Sequence, residues 1–428
     1  MAFLMTGTLQ QRTFTRYQVF IIAVLSFLQF TIILDFMVLS PLGALLMEQL
    51  DIAPGQFGWV VSAYAFSAGA SGLLTAGFAD KFDRKKLLLF FYSGFMLGTL
   101  FCALAPNYHY LLVARIVTGL FGGVIGSVSF AIITDLFKLE VRGRVMGFVQ
   151  MSFAASQVLG LPIGLVLANE FGWHAPFWMI SFTGIAVGVV LTRYMKPITG
   201  HLQVKPKANA LQHLGEVLSR PNYVRAFLTT TLLATGGFML MPFGSAFSIH
   251  NLGLTLEQLP VLYGVTGVFS IAFGPIIGKL SDKLGKLKVF AAGSLISIVI
   301  VAIYTHFGIT PLWVVISMSV VMFVGISSRM ISGSALMSGV PDAHDRGAFM
   351  SVNASVQQIS GGVASAVAGA IVLQIDNGPL LRYDVLGYVV ACTMLLSIWM
   401  MNLINKDVGR QGPETAPAMP LATVAKTA

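Results

Sequence analysis

Long apolar stretches alternate with short polar or charged gaps along the whole chain. A helix needs roughly 20 mostly apolar residues to cross the hydrocarbon core of a bilayer. Gaps such as 79–86 and 279–288 separate neighbouring stretches clearly. The pattern predicts twelve membrane-spanning helices. The predicted spans are 19–40, 56–78, 87–105, 111–134, 145–168, 175–193, 226–249, 259–278, 289–307, 312–335, 348–374 and 385–405.

Composition agrees with this pattern, because hydrophobic residues occupy 56% of the 428 positions and charged residues only 10%. If the first helix runs outward, inner segments hold 23 of the 26 Lys and Arg residues, and Arg382 alone lies in an outer loop. Cytoplasmic loops carry such an excess. We therefore expect both termini to be cytoplasmic and the protein to reside in a bacterial-type cytoplasmic (inner) membrane. The net charge of +9 follows from the same bias, so we expect no nucleic-acid partner.

The sequence lacks the motifs of an enzyme. It contains no Gly-x-Ser-x-Gly and no His-Glu-x-x-His, and neither Gly278-Lys279 nor Gly285-Lys286 continues into a phosphate-binding loop. The two cysteines, Cys102 and Cys392, fall in apolar spans and support neither a disulfide framework nor a cysteine metal site. We predict no enzyme activity, no cofactor and no metal.

Two loop motifs recur at a nearly constant offset. Asp80 after the second span matches Asp282 after the eighth, and Arg142-Gly143 after the fourth matches Arg346-Gly347 after the tenth. A duplicated six-helix unit explains both matches. The predicted fold is therefore all-α and polytopic, with two pseudo-symmetric six-helix bundles around a central cavity. The predicted divisions are a cytoplasmic segment (1–16), a first bundle (17–195), a cytoplasmic linker (196–225), a second bundle (226–405) and a disordered cytoplasmic tail (406–428).

The charged loop after the second span resembles a motif of the major facilitator superfamily, and within it of the twelve-helix drug:proton antiporter branch. Asp80, Arg84 and Lys85 match that motif, and Asp282 and Lys286 belong to its second copy. The resemblance covers about 17–405 and implies a twelve-helix transporter. From their position near a helix end, Asp80 and Arg84 are predicted to form an inner latch that breaks when the protein opens inward. The alternative is that they only anchor the topology.

Two helix motifs extend the resemblance. The fourth span carries Arg115-x-x-x-Gly119, similar to a family motif associated with proton coupling. The fifth span carries Gly160, Pro162 and Gly164, which loosely resemble the antiporter motif. Glycines allow close helix approach and proline allows a kink, so a gating hinge and ordinary tight packing both explain the fifth span.

Of the 17 acidic residues, Asp35 alone falls inside a predicted span. A charged carboxylate is costly to hold in hydrocarbon, so its charge is open to control by its surroundings. Arg115 lies near the outer end of its span, at a depth similar to that of Asp35. We predict that the two side chains pair and that Asp35 is a proton switch. The alternative for each is a satisfied polar group that stabilises helix packing.

Further polar residues inside spans are candidates for the wall of the cavity, although each has the alternative of only bridging helices. These candidates are Gln29, Tyr64, Gln157, Arg329, Asn353 and Gln357.

The sequence as a whole predicts a proton-coupled secondary transporter that exports small amphipathic compounds or drugs by alternating access. Its expected partners are a small-molecule substrate, protons and the lipid bilayer, and we expect a monomer to be functional. Export rests on the family resemblance. The alternatives are a sugar or metabolite exporter, a proton symporter, and a membrane sensor that binds without transporting.

Overall fold

A computed structural model describes residues 14–75, 81–137, 139–199, 202, 210–342, 345–375 and 378–410. Asp80, most of the predicted linker before Ala210, and the chain ends lie outside the described residues. Long helices dominate the described ranges. In the first half they are α1 (Arg16–Val38), α2 (Pro54–Thr75), α3 (Arg84–Ala103), α4 (Tyr108–Leu136), α5 (Leu139–Ala155, continued by Ser156–Gly160 and Leu161–Phe171) and α6 (Ala175–Tyr194). In the second half they are α7 (Pro221–Phe238, continued by Met241–Phe243 and Gly244–His250), α8 (Gln258–Leu284), α9 (Lys286–Tyr304), α10 (Leu312–Met337), α11 (Arg346–Ile371) and α12 (Tyr383–Arg410).

Eleven of these helices are long and apolar enough to cross a membrane. The twelfth, α11, has 26 residues and is therefore also long enough, but it carries many small and polar residues. It packs along α2 of the other half, so much of its surface contacts protein rather than lipid. A helix in that position needs fewer apolar residues, and the twelve-helix architecture predicted from the sequence is confirmed.

The helix ends differ from the predicted divisions in two places. The second bundle begins at Pro221 rather than at 226, since proline is favoured in the first turn of a helix. The predicted tail begins at 406, yet α12 continues to Arg410. The predicted linker also contains a short helix, Ala210–Ser219, whose Val217 is buried against the second bundle.

Two of the long helices contain breaks in regular α-helical geometry. In α5 the segment Ser156–Gly160 is π-helical and ends two residues before Pro162, whose ring nitrogen cannot donate a hydrogen bond to the α-helical ladder. In α7 the α-helix ends at Phe238, after Gly236 and Gly237, and a 3-10 turn at Met241–Phe243 follows. The chain therefore bends where prolines and glycines weaken the ladder.

The face at which α1 begins at Arg16 and α12 ends at Arg410 is called the termini face here, and the other is the opposite face. The two halves are joined toward the opposite face. Ser62 Oγ donates to Gly362 O at 2.8 Å, and Asn169 Nδ2 donates to Leu256 O at 2.9 Å. In the described ranges, no hydrogen bond joins the halves in the part of the helices nearer the termini face.

Glycines set the close approach of α2 and α11 across this interface. A Cβ added to Gly58 would stand 2.8 Å from Ser365 O, and one added to Gly369 would stand 3.2 Å from the Cα of Gly58. Only glycine fits such distances without moving the backbone. The two bundles therefore pack closely against each other along α2 and α11.

Candidate functional site

Asp35 and Arg115 form an ion pair in the core of the first bundle. Arg115 Nη1 lies 2.7 Å from Asp35 Oδ2, and the two side chains are 1% and 0% exposed. The Thr99 hydroxyl donates to Asp35 Oδ1 at 3.2 Å, so both carboxylate oxygens have a donor. The pair thus joins α1 to α4, and Thr99 adds a contact from α3. The two side chains that were predicted to pair are in direct contact.

Neighbouring side chains enclose the guanidinium of Arg115. Its Cζ lies 4.6 Å from the centre of the Tyr64 ring, a cation–π contact, while its Nε has no acceptor. Thr118 lies one helical turn after Arg115, and its Oγ1 is 3.7 Å from Cys102 Sγ. The site therefore contains one acid and one cation, sealed by aromatic, hydroxyl and thiol groups.

Close helix packing makes this enclosure possible. A Cβ added to Gly119 would stand 2.4 Å from Tyr64 O, and one added to Gly98 would stand 2.7 Å from Thr118 N. Both positions require glycine for α2, α3 and α4 to approach so closely. The family-like motif Arg115-x-x-x-Gly119 thereby supplies both the buried cation and the space for its ring partner.

The chemistry that this arrangement allows is the uptake and release of a proton by the Asp35 carboxylate. Desolvation opposes keeping two charges in an apolar core, and their mutual attraction offsets that cost only while both remain charged. Protonation of Asp35 would leave Arg115 charged and unpaired in the core. A proton at Asp35 is therefore strongly coupled to the arrangement of the surrounding helices.

A second network lies at the termini face of the first half. Arg84 Nε donates to Asp135 Oδ2 at 3.1 Å and ties the start of α3 to the end of α4. Lys85 Nζ donates to Thr192 O at 3.0 Å, which adds the end of α6. Asp83 caps α3 by accepting from the backbone N–H of Lys85 at 2.9 Å. All these bonds lie within one half, and Asp80, the predicted partner of Arg84, lies outside the described residues.

Comparison with known proteins decides the family. A family profile described as Major Facilitator Superfamily matches residues 25–365. The chain belongs to the major facilitator superfamily. It is accordingly a multi-pass membrane transporter and not an enzyme.

Individual relatives of this transporter differ in their named activities. "Multidrug resistance protein 3" of Bacillus subtilis is 29% identical over 35% of this chain and 29% of its own length. A "Probable sugar efflux transporter" of Helicobacter pylori (strain P12) is 22% identical over 84% of this chain and 88% of its own length. The crystal structure of a D-xylose-proton symporter has a TM-score of 0.72 and 17% identity, covering 90% of this chain and 97% of that one. This last likeness shows the shared fold.

The second copy of the charged motif is built differently in this transporter. Asp282 and Lys286 are exposed, and among the described residues they form no ion pair. The charged cluster of the second half instead centres on Arg220, whose Nη1 lies 2.9 Å from Asp342 Oδ2 and 2.6 Å from Asp345 Oδ2. The Asp345 carboxylate raises the pKa of Arg220 above its ordinary value. Sequence motifs did not indicate this cluster, because Asp342 and Asp345 lie 122 and 125 residues after Arg220.

The glycines of the fifth span pack α5 against α1. A Cβ at Gly160 would stand 2.6 Å from Leu34 Cδ1, and one at Gly164 would stand 3.1 Å from Val38 Cγ2. Pro162 instead faces α8, with its Cγ 3.5 Å from the position of a Cβ at Gly264. On one side the motif packs against α1, which carries Asp35, and on the other side it contacts α8 of the second half.

The predicted cavity residues do not gather in one place. Tyr64 belongs to the buried ion-pair site, and Gln157 is buried in the π-helical segment of α5. Asn353 on α11 accepts from the Thr230 hydroxyl of α7 at 2.6 Å. Gln29 and Gln357 are half-buried, and Gln29 Oε1 lies 3.9 Å from the position of a Cβ at Gly126 on α4. Arg329 is buried inside the second bundle, behind α7.

Sequence reasoning missed several groups that complete the sites. Thr99 and Cys102 reach the ion pair from α3, and Asp135 pairs with Arg84 from α4. Thr118 was detectable in principle, because it lies three positions after Arg115 and so on the same helix face. In the described ranges, no group of three or more His, Cys, Asp or Glu residues could hold a metal ion.

Proposed function

We propose that this major facilitator protein is a proton-coupled exporter of small amphipathic compounds or drugs in a bacterial cytoplasmic membrane, with both termini cytoplasmic. The observation that carries the proposal is the ion pair of Asp35 and Arg115, 2.7 Å apart and shielded from solvent. A buried carboxylate that can lose its counter-ion contact by taking a proton is a proton-coupling group. The sugar efflux relative supports export as the direction, and the multidrug resistance relative supports drugs as a substrate class.

The conformation of the chain fits one step of an alternating-access cycle. The halves are joined toward the opposite face, so the described state is the one that admits substrate from the termini face. In this state Asp35 is paired with Arg115, and the proposed cycle takes its carboxylate as charged. Substrate enters from the cytoplasm, the halves rock, and the pair becomes accessible from outside. Protonation of Asp35 then favours substrate release, and the return movement delivers the proton inside.

The interaction networks assign roles to the remaining groups in this cycle. Arg84 and Asp135 hold the termini-face ends of α3 and α4 together, so the first bundle moves as one body. The α5 glycines, packed on α1, transmit movement at the α5–α8 contact toward Asp35. In this proposal the Arg84–Asp135 pair is a support within the first half, and the contact that opens and closes lies between the halves.

Proteoliposomes with an imposed pH gradient test the coupling. The Asp35→Asn variant, which cannot exchange a proton, should lose uphill transport by at least about tenfold while retaining exchange of labelled substrate across the membrane. Glu170→Gln is the matched control, because Glu170 is exposed at the end of α5. Unchanged uphill transport by Asp35→Asn would remove Asp35 from the mechanism.

A sugar exporter is the second candidate. The observation that favours it is the sugar efflux relative, whose alignment covers 84% of this chain, whereas that of the multidrug relative covers 35%. A panel of cationic dyes, phenicols and sugars in the same proteoliposomes separates the two, since only transported compounds move protons. Binding without counterflow of any labelled compound would instead indicate a sensor.

A further inference from the structure

Arg329 is a buried cation that lacks the kind of partner Arg115 has. Its exposed fraction is 5%, its Nη2 lies 3.4 Å from Ser397 Oγ on α12, and its Cζ lies 5.9 Å from the centre of the Phe290 ring on α9. Its Nε has no acceptor. Within the part of the chain that the structure describes, no carboxylate pairs with it.

An unpaired guanidinium is unfavourable in such a place. It keeps its proton at physiological pH, so it cannot become neutral as a buried carboxylic acid does. Burying one uncompensated charge costs several kcal/mol. Ionisable residues retained inside a membrane bundle therefore mark the place where another charged group binds.

At α7, bare backbone rather than a side chain separates Arg329 from the space on the other side of that helix, and the regular helix ends close by, at Phe238. A Cβ added to Gly236 would stand 3.8 Å from both Nη atoms and 3.6 Å from Thr393 Oγ1, so α7 meets the guanidinium with bare backbone. The next residue, Gly237, is exposed and has nothing within 4 Å of its Cβ position. A glycine pair thus separates the guanidinium from open space, and the hydroxyls of Thr393 and Ser397 border it on α12.

Aromatic groups continue from this point toward the proton site. Phe238 follows the glycine pair, and its ring centre lies 5.7 Å from that of Phe36, the neighbour of Asp35 in sequence. The Phe36 ring centre lies 5.3 Å from that of Tyr64, which stacks on Arg115. A ligand with a charged head at Arg329 would therefore have an apolar surface beside it for its body.

We propose that Arg329 binds the anionic head of the transported compound, and that the substrate class is an amphipathic organic anion with a carboxylate-type head. This assignment rests on the proposed function and specifies its substrate. A guanidinium binds a carboxylate with two parallel hydrogen bonds. The Thr393 and Ser397 hydroxyls beside it already donate to Val390 O and Met394 O, so the arginine supplies the donors for the head group. The carboxylate supplies the charge that the bundle lacks, while the aromatic row contacts the apolar body.

Thermal unfolding of the purified full-length protein in detergent, with 1-naphthoate and its amide as probes, tests the assignment. Naphthoate should raise the unfolding midpoint of the wild type in a concentration-dependent manner, and 1-naphthamide, which has the same shape but no charge, should not. Arg329→Gln should weaken naphthoate binding roughly ten- to hundredfold, because it removes hydrogen bonds to a charged group.

A second variant tests the same site without changing Arg329. Gly236→Asp places a carboxylate beside the guanidinium, so it should raise the unfolding midpoint without ligand and abolish the effect of naphthoate. Gly236→Asn is its neutral control of equal size, and it should give no such rise without ligand. A rise with Gly236→Asn equal to that with Gly236→Asp would overturn the charge argument.

Other results also overturn the proposal. Equal stabilisation of wild type and Arg329→Gln by naphthoate would show that the head binds elsewhere. Stabilisation by chloride with naphthoate inert would show a site for an inorganic anion only. Because this assay has no pH gradient, a failure of proton coupling in proteoliposomes contradicts the proposed function and leaves the binding result to be judged separately.

Discussion

At the residue scale, two buried arginines show opposite solutions to the same electrostatic problem. Arg115 has Asp35 at 2.7 Å, whereas Arg329 has, among the residues that the structure describes, only a hydroxyl at 3.4 Å and a ring. Because a buried ion needs compensation, the first arginine is satisfied by its own chain and the second is left for a ligand. In the proposed function, the first bundle serves proton coupling and the second serves substrate recognition.

The Asp35–Arg115 pair predicts unequal effects of its two single substitutions. Asp35→Asn leaves a cation that cannot be neutralised, and it should cost about 3–5 kcal/mol of unfolding free energy. Arg115→Gln leaves a carboxyl that can bind a proton, so it should cost less, and less at pH 5 than at pH 8. The double variant should be more stable than Asp35→Asn alone. Thermal unfolding of the wild type, the two single variants and the double variant at both pH values measures these differences. Equal losses of unfolding free energy in the two single variants at both pH values would contradict the prediction.

At the element scale, the function depends on how closely α1, α2, α3 and α4 approach one another. Gly98 and Gly119 are the positions where a side chain would collide with the neighbouring backbone. The buried pair and its ring partner come from three different helices, and Thr99 reaches the pair from a fourth, so small changes in helix separation alter the site. The packing glycines of this bundle thus hold the helices at the separation that the buried pair requires.

Gly119→Ala tests this dependence. Its Cβ would stand 2.4 Å from Tyr64 O, so α2 and α4 must move apart, at a cost of about 1–3 kcal/mol of unfolding free energy and with weaker proton-driven transport. Gly278→Ala on α8 is the control, because nothing lies within 4 Å of its Cβ position and no proline follows it. Thermal unfolding and proteoliposome transport measure both effects. Identical behaviour of the two variants would show that helix approach at Gly119 has no influence.

Sequence patterns identified the elements better than the contacts between them. The twelve spans followed from hydropathy, and the pairing of Asp35 with Arg115 followed from their similar predicted depth in the membrane. Asp135 was not identified as the partner of Arg84, because 51 residues separate them and no local pattern joins them. The π-helical segment before Pro162 also escaped prediction, since its hydrogen bonding depends on how α5 packs.

At the scale of the whole molecule, the two bundles contact each other through glycine, backbone and aromatic surfaces rather than through ion pairs. Every ion pair that the structure describes lies within one half. Cross-half hydrogen bonds such as Ser62 to Gly362 are neutral and few. Such an interface costs little to break on one side and re-form, which suits rocking of two rigid bodies.

A crosslink across the opposite face tests this movement. Ser40 Oγ donates to Met241 O, so cysteines at these positions would join the two halves. In a background with Cys102→Ala and Cys392→Ala, a short bifunctional methanethiosulfonate on Ser40→Cys/Met241→Cys should stop transport, and reduction should restore it. The control pair is Ala105→Cys/His174→Cys, which bridges a 3.0 Å contact within the first half and should leave transport intact when crosslinked. Full transport by the crosslinked Ser40→Cys/Met241→Cys protein would mean that the halves stay joined there throughout the cycle, and the exporter would then need a different way to open outward.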